Sequence, residues 1–221
     1  MRAIIFGATG MVGQGVLREC LRDPEITRVV TLGRTPRPEP EGKLRSLTVP
    51  DLFDLSVIAA ELTNLDACFY CIGVTSLGMT EADYARITHD LTIAVAKQLL
   101  AQNPSLSFVF VSGRSADSTA NGRVMWARVK GRTENDLFRM PFKSVTVVRP
   151  GLIVPRHGIK SRTGWYNAFY TVLRPLLPVV ERLAPGYVTT TEQLGRAMIR
   201  FAKGGFDHKV VQGRDLSRAG A

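Results

Sequence analysis

Residues 1–15 decide the fold, and they read Met1-Arg2-Ala3-Ile4-Ile5-Phe6-Gly7-Ala8-Thr9-Gly10-Met11-Val12-Gly13-Gln14-Gly15. A short apolar run rich in strand formers leads directly into a Gly-x-x-Gly-x-x-Gly turn, and an amphipathic segment follows. Glycine suits a backbone that turns tightly, approaches a diphosphate closely, or lets a helix pack hard against a strand. A helix that begins in such a turn directs N–H groups and its positive dipole end at the phosphates. The stretch therefore predicts dinucleotide binding by Gly7, Ala8, Thr9, Gly10, Met11, Val12 and Gly13; the alternative is a glycine-rich turn of another α/β protein.

The rest of the chain alternates short apolar runs with segments in which apolar residues recur every three to four positions. This alternation predicts an α/β fold, a doubly wound parallel sheet (Rossmann fold) with a small C-terminal cap. Predicted strands cover residues 2–6, 27–32, 45–49, 66–74, 107–112 and 144–149, with an edge strand at 208–212. Predicted helices cover residues 11–22, 80–102 and 123–139, and a last helix follows the threonine-rich segment 189–193 and ends at Ala202.

The spacing of the glycines and their neighbours carries a family resemblance. Gly7-Ala8-Thr9-Gly10-x-x-Gly13 after a terminal strand resembles the atypical and extended short-chain dehydrogenase/reductases. That superfamily includes epimerases, dehydratases and cofactor-binding regulators, so the resemblance implies an NAD(P) cofactor and leaves the chemistry open.

Length and composition indicate a soluble globular chain. The 221 residues suit a single domain, 1–221, of ordinary composition, with 45% hydrophobic and 22% charged residues. No apolar stretch reaches the ~18 residues of a membrane span. The N-terminus is occupied by a strand and a cofactor turn, so we expect no cleaved signal and a cytoplasmic location. Three cysteines, an odd number, argue against a disulfide framework.

A net charge of +10 raises the question of a polyanionic partner. The basic residues are spread from Arg2 to Arg218 without a continuous run, and a bound anionic dinucleotide explains much of the excess. We therefore expect a small-molecule substrate and no nucleic acid. Peripheral contact with acidic lipid headgroups is the remaining alternative for the basic surface.

The residue after the second strand decides between the two nicotinamide cofactors. In NAD-binding relatives a carboxylate about 20 residues past the glycines binds the ribose hydroxyls. No Asp or Glu occurs from Thr27 to Pro38, and Arg34 stands there instead, with Arg37 just beyond. A guanidinium binds a 2′-phosphate, which a carboxylate would repel. The sequence favours NADP over NAD; the alternative is that both arginines are solvated loop charges.

Three further segments match cofactor contacts of the superfamily. The resemblance places Asp51 and Leu52 at the adenine, Cys71, Ile72 and Gly73 beside the nicotinamide ribose, and Pro150, Gly151, Leu152 and Ile153 where the chain crosses the nicotinamide. Asp51-Leu52 could equally be an ordinary helix start. Cys68 and Cys71 are three apart in a strand, which places them on opposite faces, so we expect no metal site there.

The segment after the fifth strand bears on catalysis. In catalytically complete relatives a Tyr-x-x-x-Lys pair shares one helix face: the tyrosine exchanges a proton with the substrate oxygen, and the lysine binds the nicotinamide ribose and lowers the pKa of the tyrosine. A Ser or Thr at the strand end orients the substrate. Ser112, with Ser115 behind it, and Lys130 match this pattern, but Trp126 stands four residues before the lysine. An indole N–H donates hydrogen bonds but is no usable acid near neutral pH. The resemblance, which is greatest to the small Tat-interacting oxidoreductase-like group, thus implies a cofactor site without its usual proton donor.

Residues 156–188 break the strand–helix alternation and are rich in aromatic and aliphatic residues. We interpret them as a cap that forms a substrate-pocket wall or a homodimer contact; a membrane-touching surface is the alternative. Two functions remain open. The chain is an NADP(H)-dependent oxidoreductase or epimerase-like enzyme with a displaced acid such as Tyr166, Tyr187, His157 or a water, or it is a cofactor-binding sensor or regulatory scaffold.

Overall fold

The computed structural model describes residues 1–33, 42–159, 187–204 and 209–221. Within these ranges the strands are β1 (Arg2–Phe6), β2 (Arg28–Gly33), β3 (Leu44–Thr48), β4 (Ala67–Tyr70), β5 (Ser107–Val111), β6 (Ser144–Arg149), β7 (Leu152–Val154), β8 (Val188–Thr190) and β9 (Val210–Gln212). The main sheet has the order β3-β2-β1-β4-β5-β6-β9, and each neighbouring pair is parallel. The predicted doubly wound parallel sheet is confirmed.

The helices of the same ranges are α1 (Met11–Arg22), α2 (Glu81–Ala85), α3 (Leu91–Gln102), α4 (Met125–Arg139), α5 (Thr191–Ala202) and α6 (Gly213–Ala219). A π-helical turn, Arg86–Asp90, joins α2 to α3, so the predicted helix over residues 80–102 is continuous but not regular. A 3₁₀ segment at Ser56–Leu62, which the sequence pattern did not indicate, precedes β4.

Two hydrophobic clusters cover the two faces of the main sheet. On one face, α1, α5 and α6 pack through residues such as Val16, Leu194 and Leu216. On the other face, α3 and α4 pack through residues such as Val95 and Leu137. The central strands β1, β4 and β5 are buried on both faces, which explains why their sequences are mostly apolar.

Two of the predicted helix starts, those of α2 and α5, are stabilised by side-chain caps. Thr80 accepts a hydrogen bond from the Asp83 backbone N–H at 3.2 Å. At the start of α5, Thr190 and Gln193 form a reciprocal capping box with two bonds of 3.0 Å. These caps fix where the chain enters the helices on both faces of the sheet.

The end of the chain differs from the sequence expectation in one respect. Leu152–Val154 and Val188–Thr190 pair as a second, two-stranded parallel sheet, which the pattern did not predict. The predicted edge strand over residues 208–212 is present as Val210–Gln212, and Val147 pairs with Val210.

The predicted cap at residues 156–188 lies outside the described residues from 160 to 186. Its assignment as a cap therefore stays a prediction. In the part of the chain that the structure describes, no helix has the length and apolar character needed to cross a membrane.

Candidate functional site

The candidate site lies where the carboxyl ends of β1 and β4 meet. These strands are neighbours, and the chain continues from β1 outward to β2 and from β4 in the opposite direction to β5. Such a reversal of strand order opens a crevice outside the carboxyl ends, and ligands of doubly wound sheets bind there. The predicted glycine turn follows β1 directly, so it lies at this point.

The glycine turn has the geometry that its sequence predicted. Gly7 has a φ of +77°, and a Cβ on it would lie 2.8 Å from the Cys71 backbone. A Cβ on Gly13 would lie 2.1 Å from the Gly7 carbonyl oxygen, so the helix is packed tightly against the turn. A Cβ on Gly10 would meet only the Gly7 carbonyl oxygen, at 3.4 Å. Side chains are thus excluded at Gly7 and Gly13, whereas Gly10 leaves open space beside the backbone.

Helix α1 begins at this open side. Gly10 is its N-cap, and the first turn contains no acidic residue that would compete with an anion. The first-turn residues Met11, Val12 and Gly13 therefore present a positive helix end to the crevice. A close-packed turn, an open central glycine and an anion-attracting helix start fit a dinucleotide diphosphate.

The end of β4 forms the opposite wall of the crevice. Cys71 packs against one hydrophobic cluster and Ile72 against the other, while a Cβ on Gly73 would meet no atom within 4 Å. Cys68 and Cys71 belong to opposite faces of the sheet, as predicted. Burial raises the pKa of both thiols, so they stay protonated at neutral pH.

The predicted adenine end lies on the other side of β1. Asp51 follows β3 and is exposed, and its carboxylate accepts a hydrogen bond from the Phe53 N–H at 2.9 Å. Leu52 packs against the core. Arg34, the predicted 2′-phosphate ligand, lies outside the described residues. The role of these three residues stays a prediction.

Helix α4 brings Trp126 and Lys130 to the end of β5. A Cβ on Gly113, just past that strand, would lie 3.5 Å from Cζ3 of Trp126 and 3.7 Å from Cδ of Lys130. The Lys130 amine lies 5.6 Å from the centre of the Phe110 ring. The two helix residues therefore share one face directed at the carboxyl edge, as their spacing of four predicted.

The environment of Lys130 changes its proton affinity. Burial lowers the pKa of the amine to about 8, although the negative charge of Glu134 acts in the opposite direction. A lysine in this state exchanges its proton near neutral pH.

The Ser112 hydroxyl belongs to a buried hydrogen-bond network that the sequence did not predict. Its hydroxyl donates to the Glu134 carboxylate, and its backbone N–H donates to Val148 at 2.8 Å. Arg149 binds the same carboxylate with two donors, one of them 3.0 Å from Oε1, and also donates to Ser118 at 2.7 Å. Two sequence features could have indicated this network: the Lys-x-x-x-Glu spacing of Lys130 and Glu134, and Arg149 at the end of an apolar strand. The predicted substrate-orienting role of Ser112 stays a prediction, and Ser115 is exposed.

The Arg-Pro-Gly segment continues from β6 across the edge of the site. A Cβ on Gly151 would lie 2.5 Å from the Tyr187 carbonyl oxygen, which accepts a hydrogen bond from the Leu152 N–H at 2.8 Å. The guanidinium carbon of Arg114 lies 3.4 Å from the centre of the Tyr187 ring. Pro150 is buried and Ile153 is partly buried. This stack of Arg114 on Tyr187, which the sequence did not predict, connects the segment to the loop after β5.

The other proposed substitutes for the missing acid lie in different surroundings. The ring of His157 lies 2.8 Å from the carboxylate of Glu192 in the first turn of α5, and this bond lowers the pKa of Glu192. Tyr166 lies outside the described residues. In those that are described, no cluster of three or more His, Cys, Asp or Glu side chains could hold a metal ion.

Comparison with known proteins identifies the superfamily. A sequence model of the NAD dependent epimerase/dehydratase family matches residues 3–120, more than half of the chain. Among solved structures, the PhqB reductase domain from Penicillium fellutanum has a TM-score of 0.69 and 17% identity, and the match covers 98% of this chain and 68% of that chain. At such identity the likeness shows the fold alone. The resemblance to the extended short-chain dehydrogenase/reductases is confirmed, and a nicotinamide dinucleotide is supported as the cofactor.

Two curated relatives align over most of the chain. Protein fmp52, mitochondrial, from Emericella nidulans is 26% identical over 218 residues, which cover 96% of this chain and 91% of that protein. Protein FMP52, mitochondrial, from Saccharomyces cerevisiae is 25% identical over 207 residues, which cover 91% and 87%. The expectation of a cytoplasmic location is wrong, because these relatives are named as mitochondrial proteins.

Proposed function

This chain belongs to the NAD dependent epimerase/dehydratase family, and from that premise we propose that it is an NADP(H)-dependent oxidoreductase that acts on a small carbonyl or hydroxyl substrate. The observation that supports this most is the position of Lys130. Its side chain lies at the carboxyl edge of the same parallel sheet whose β1 leads into the glycine turn. A bound reduced nicotinamide would supply a hydride at this edge, and the lysine would hold its ribose.

The preference for NADP is argued from the loop after β2. No carboxylate stands where an NAD-binding chain would hold the ribose hydroxyls, and Arg34 and Arg37 supply positive charge there. Strand β3 follows the loop and pairs with β2 in parallel. The first acidic residue after β3 is Asp51. One of its carboxylate oxygens accepts a hydrogen bond from the Phe53 N–H.

A second function is favoured by one residue. Trp126 occupies the place of the proton donor, and an indole does not complete proton transfer to a carbonyl. A chain that binds the cofactor without turning it over would serve as a sensor of NADP(H) or as a scaffold.

Consumption of NADPH separates these two functions. The oxidation of NADPH is followed by absorbance with 4-nitrobenzaldehyde and 9,10-phenanthrenequinone as carbonyl probes, and the binding of NADPH is measured by calorimetry on the same preparation. The oxidoreductase predicts turnover above the protein-free rate. NADPH binding without turnover on any probe would favour the sensor.

The choice of cofactor is tested by Arg34→Asp. We expect NADPH affinity to fall at least about tenfold more than NADH affinity, because the new carboxylate would repel the 2′-phosphate. Arg200→Asp, in the last turn of α5, makes the same change of net charge and should leave both affinities unchanged. Equal losses for NADPH and NADH in Arg34→Asp would contradict the assignment.

A further inference from the structure

The candidate site lacks its usual acid, and its serine proton is already in use. Trp126 cannot donate a proton to an oxyanion near neutral pH. Ser112 donates its hydroxyl to Glu134, which also holds Arg149. Carbonyl reduction needs a proton at the oxygen as the hydride arrives, so a donor other than Trp126 and Ser112 is required.

Lys130 is the titratable side chain that α4 places at this edge. Its stem passes Gly113, and its amine lies over the Phe110 ring of β5 at 5.6 Å from the ring centre. The Trp126 ring lies against the same glycine. It therefore stands beside the Lys130 side chain, in the place of the tyrosine of catalytically complete relatives. The face of the Phe110 ring attracts a cation, whereas burial of the amine favours the loss of its charge.

We propose that Lys130 itself is the general acid of carbonyl reduction in this protein and takes over the role of the missing tyrosine. The assignment depends on the proposed oxidoreductase function. It differs from the role that the family resemblance implies, in which the lysine holds the ribose and only assists a tyrosine.

The proton balance of the step is complete. A bound reduced nicotinamide would supply a hydride to the carbonyl carbon and be oxidised, and the carbon–oxygen π electrons would move to oxygen. That oxygen takes a proton from the Lys130 ammonium, forming the O–H bond and leaving a neutral amine. Water then returns a proton to the amine, so no other reagent is needed.

The charged groups around Lys130 suit this exchange. Glu134 lies one turn further along α4, and its charge keeps the amine protonated against the effect of burial, with a resulting pKa of about 8. Arg149 of β6 pairs with Glu134, and Arg114 of the loop after β5 stacks on Tyr187. The ammonium form therefore predominates at pH 7, yet it loses its proton more easily than an exposed lysine does.

The first measurement needs no substrate. Protein labelled with ¹⁵N-lysine is titrated by NMR from pH 6 to 11, and Lys130→Arg identifies the Lys130 amine signal by its loss. We expect a titration midpoint near 8. A midpoint above 10, as for an exposed lysine, would overturn the proposal whatever the activity.

The second measurement is the pH profile of kcat/KM for NADPH-dependent reduction of 4-nitrobenzaldehyde. The rate should fall about tenfold per pH unit above the midpoint, and the reverse oxidation of the alcohol should rise with pH, because the acid form serves reduction and the base form oxidation. Lys130→Arg keeps a cation that can bond the ribose but does not release its proton. It should bind NADPH within about threefold of the wild type and reduce the probe at least ~100-fold more slowly.

Lys130→Met, which keeps the length of the stem, replaces Lys130→Arg if the latter does not fold. Two results would refute the assignment of Lys130 as the acid without refuting the oxidoreductase function: turnover by Lys130→Arg at the wild-type rate, or a wild-type pH profile that does not fall above pH 8. Tyr187 would then be the next candidate acid. If the wild type turns over no carbonyl probe, the proposed oxidoreductase function fails, and the assignment fails with it.

Discussion

Glu134 is the residue on which the polar contacts beneath the site converge. Its carboxylate is almost fully buried and accepts from the Ser112 hydroxyl and twice from Arg149. A buried ion pair adds little stability compared with apolar residues of the same shape, but the loss of one partner leaves the other charge buried without compensation. Glu134 therefore fixes the ends of β5 and β6 relative to α4.

Replacing Glu134 tests this arrangement. Glu134→Ala should lower the free energy of unfolding by about 3–5 kcal/mol, because Arg149 would stay buried without its partner. The double variant with Arg149→Met should recover part of that loss. Urea denaturation of the single and double variants measures the coupling.

The control is an exposed ion pair of the same chemistry. Arg28 and Glu61 form a surface pair, and Glu61→Ala should change the free energy of unfolding by less than about 1 kcal/mol. A loss of similar size at Glu134 and Glu61 would contradict the account of the buried network.

Trp126 decides how much of the usual proton chemistry the site retains. Trp126→Tyr would place a phenol on the α4 face that carries Lys130, one turn away and beside Gly113. We expect NADPH-dependent reduction of simple carbonyls to rise by about tenfold or more, since a positioned acid contributes ~10²–10⁴ in rate. Trp126→Tyr alone should change cofactor affinity little, and Lys130→Ala added to this variant should abolish the gain in rate.

Trp126→Phe is the matched control, because it offers a ring without an acid. It should leave the rate at or below that of the wild type. If Trp126→Tyr binds NADPH and, like the wild type, turns over no carbonyl probe, Trp126 is a packing residue that closes an unused pocket, and the sensor function is favoured.

Among the helices, the buried His89 connects the segment between α2 and α3 to α4, the helix that carries Trp126 and Lys130. His89 lies in the π-helical turn between α2 and α3, and its ring nitrogens lie 2.7 Å from Asp90 and 2.8 Å from Asp136 of α4. Both ring nitrogens of His89 therefore lie within hydrogen-bond distance of a carboxylate, one on its own segment and one on α4. π-Helical turns often accompany functional sites, and here the turn directs the ring at α4.

Asp136→Asn tests this tie through its pH dependence. Burial alone would raise the pKa of Asp136, but the hydrogen bond and charge of His89, with Arg139, lower it below its usual 3.8. A lowered pKa contributes stability that is complete above the unfolded value and is lost as the pH falls through the folded value. The variant should be less stable than the wild type by about 1–3 kcal/mol at pH 7, and this difference should shrink below pH 3.8.

The comparison variant is Glu81→Gln, which removes an exposed pair between α2 and Arg128 of α4. Its effect should stay within about 0.5–1 kcal/mol at every pH. Chemical denaturation between pH 3 and 7 distinguishes the two. An Asp136→Asn difference that stays constant down to pH 3 would argue against the charge-assisted tie.

At the scale of the whole molecule, local patterns were sufficient to predict the fold. The strand–glycine–helix signal at Gly7–Gly13, the capping residues Thr80 and Thr190, and the apolar strands are all readable from neighbours in sequence. The shorter fourth strand, which ends at Tyr70 rather than near residue 74, shows where local pattern fails. The residues after Tyr70 leave the sheet to line the crevice beside Gly7.

The features that were missed depend on contacts between distant segments. Glu134 meets Arg149 and Ser112 only because β5 pairs with β6 in a register that places Val111 beside Val148. The Arg114–Tyr187 stack and the β7–β8 pair likewise join segments far apart in the chain. No periodicity records such pairings, so the sequence did not predict the partners of Ser112, Arg114 or Glu134.

Both proposed functions require a dinucleotide bound in the turn at Gly7–Gly13, and Gly10→Val tests this binding. Gly10 has an extended backbone that valine can adopt, and a Cβ there meets only one backbone oxygen at 3.4 Å, so the variant should fold. Calorimetric titration with NADPH is performed on the wild type, Gly10→Ala and Gly10→Val, with circular dichroism as the check on folding. We predict tight binding by the wild type, a partial loss for alanine, and a loss of at least about tenfold in affinity for valine, because the side chain fills the space of the diphosphate. A folded Gly10→Val that binds NADPH as tightly as the wild type would contradict the account.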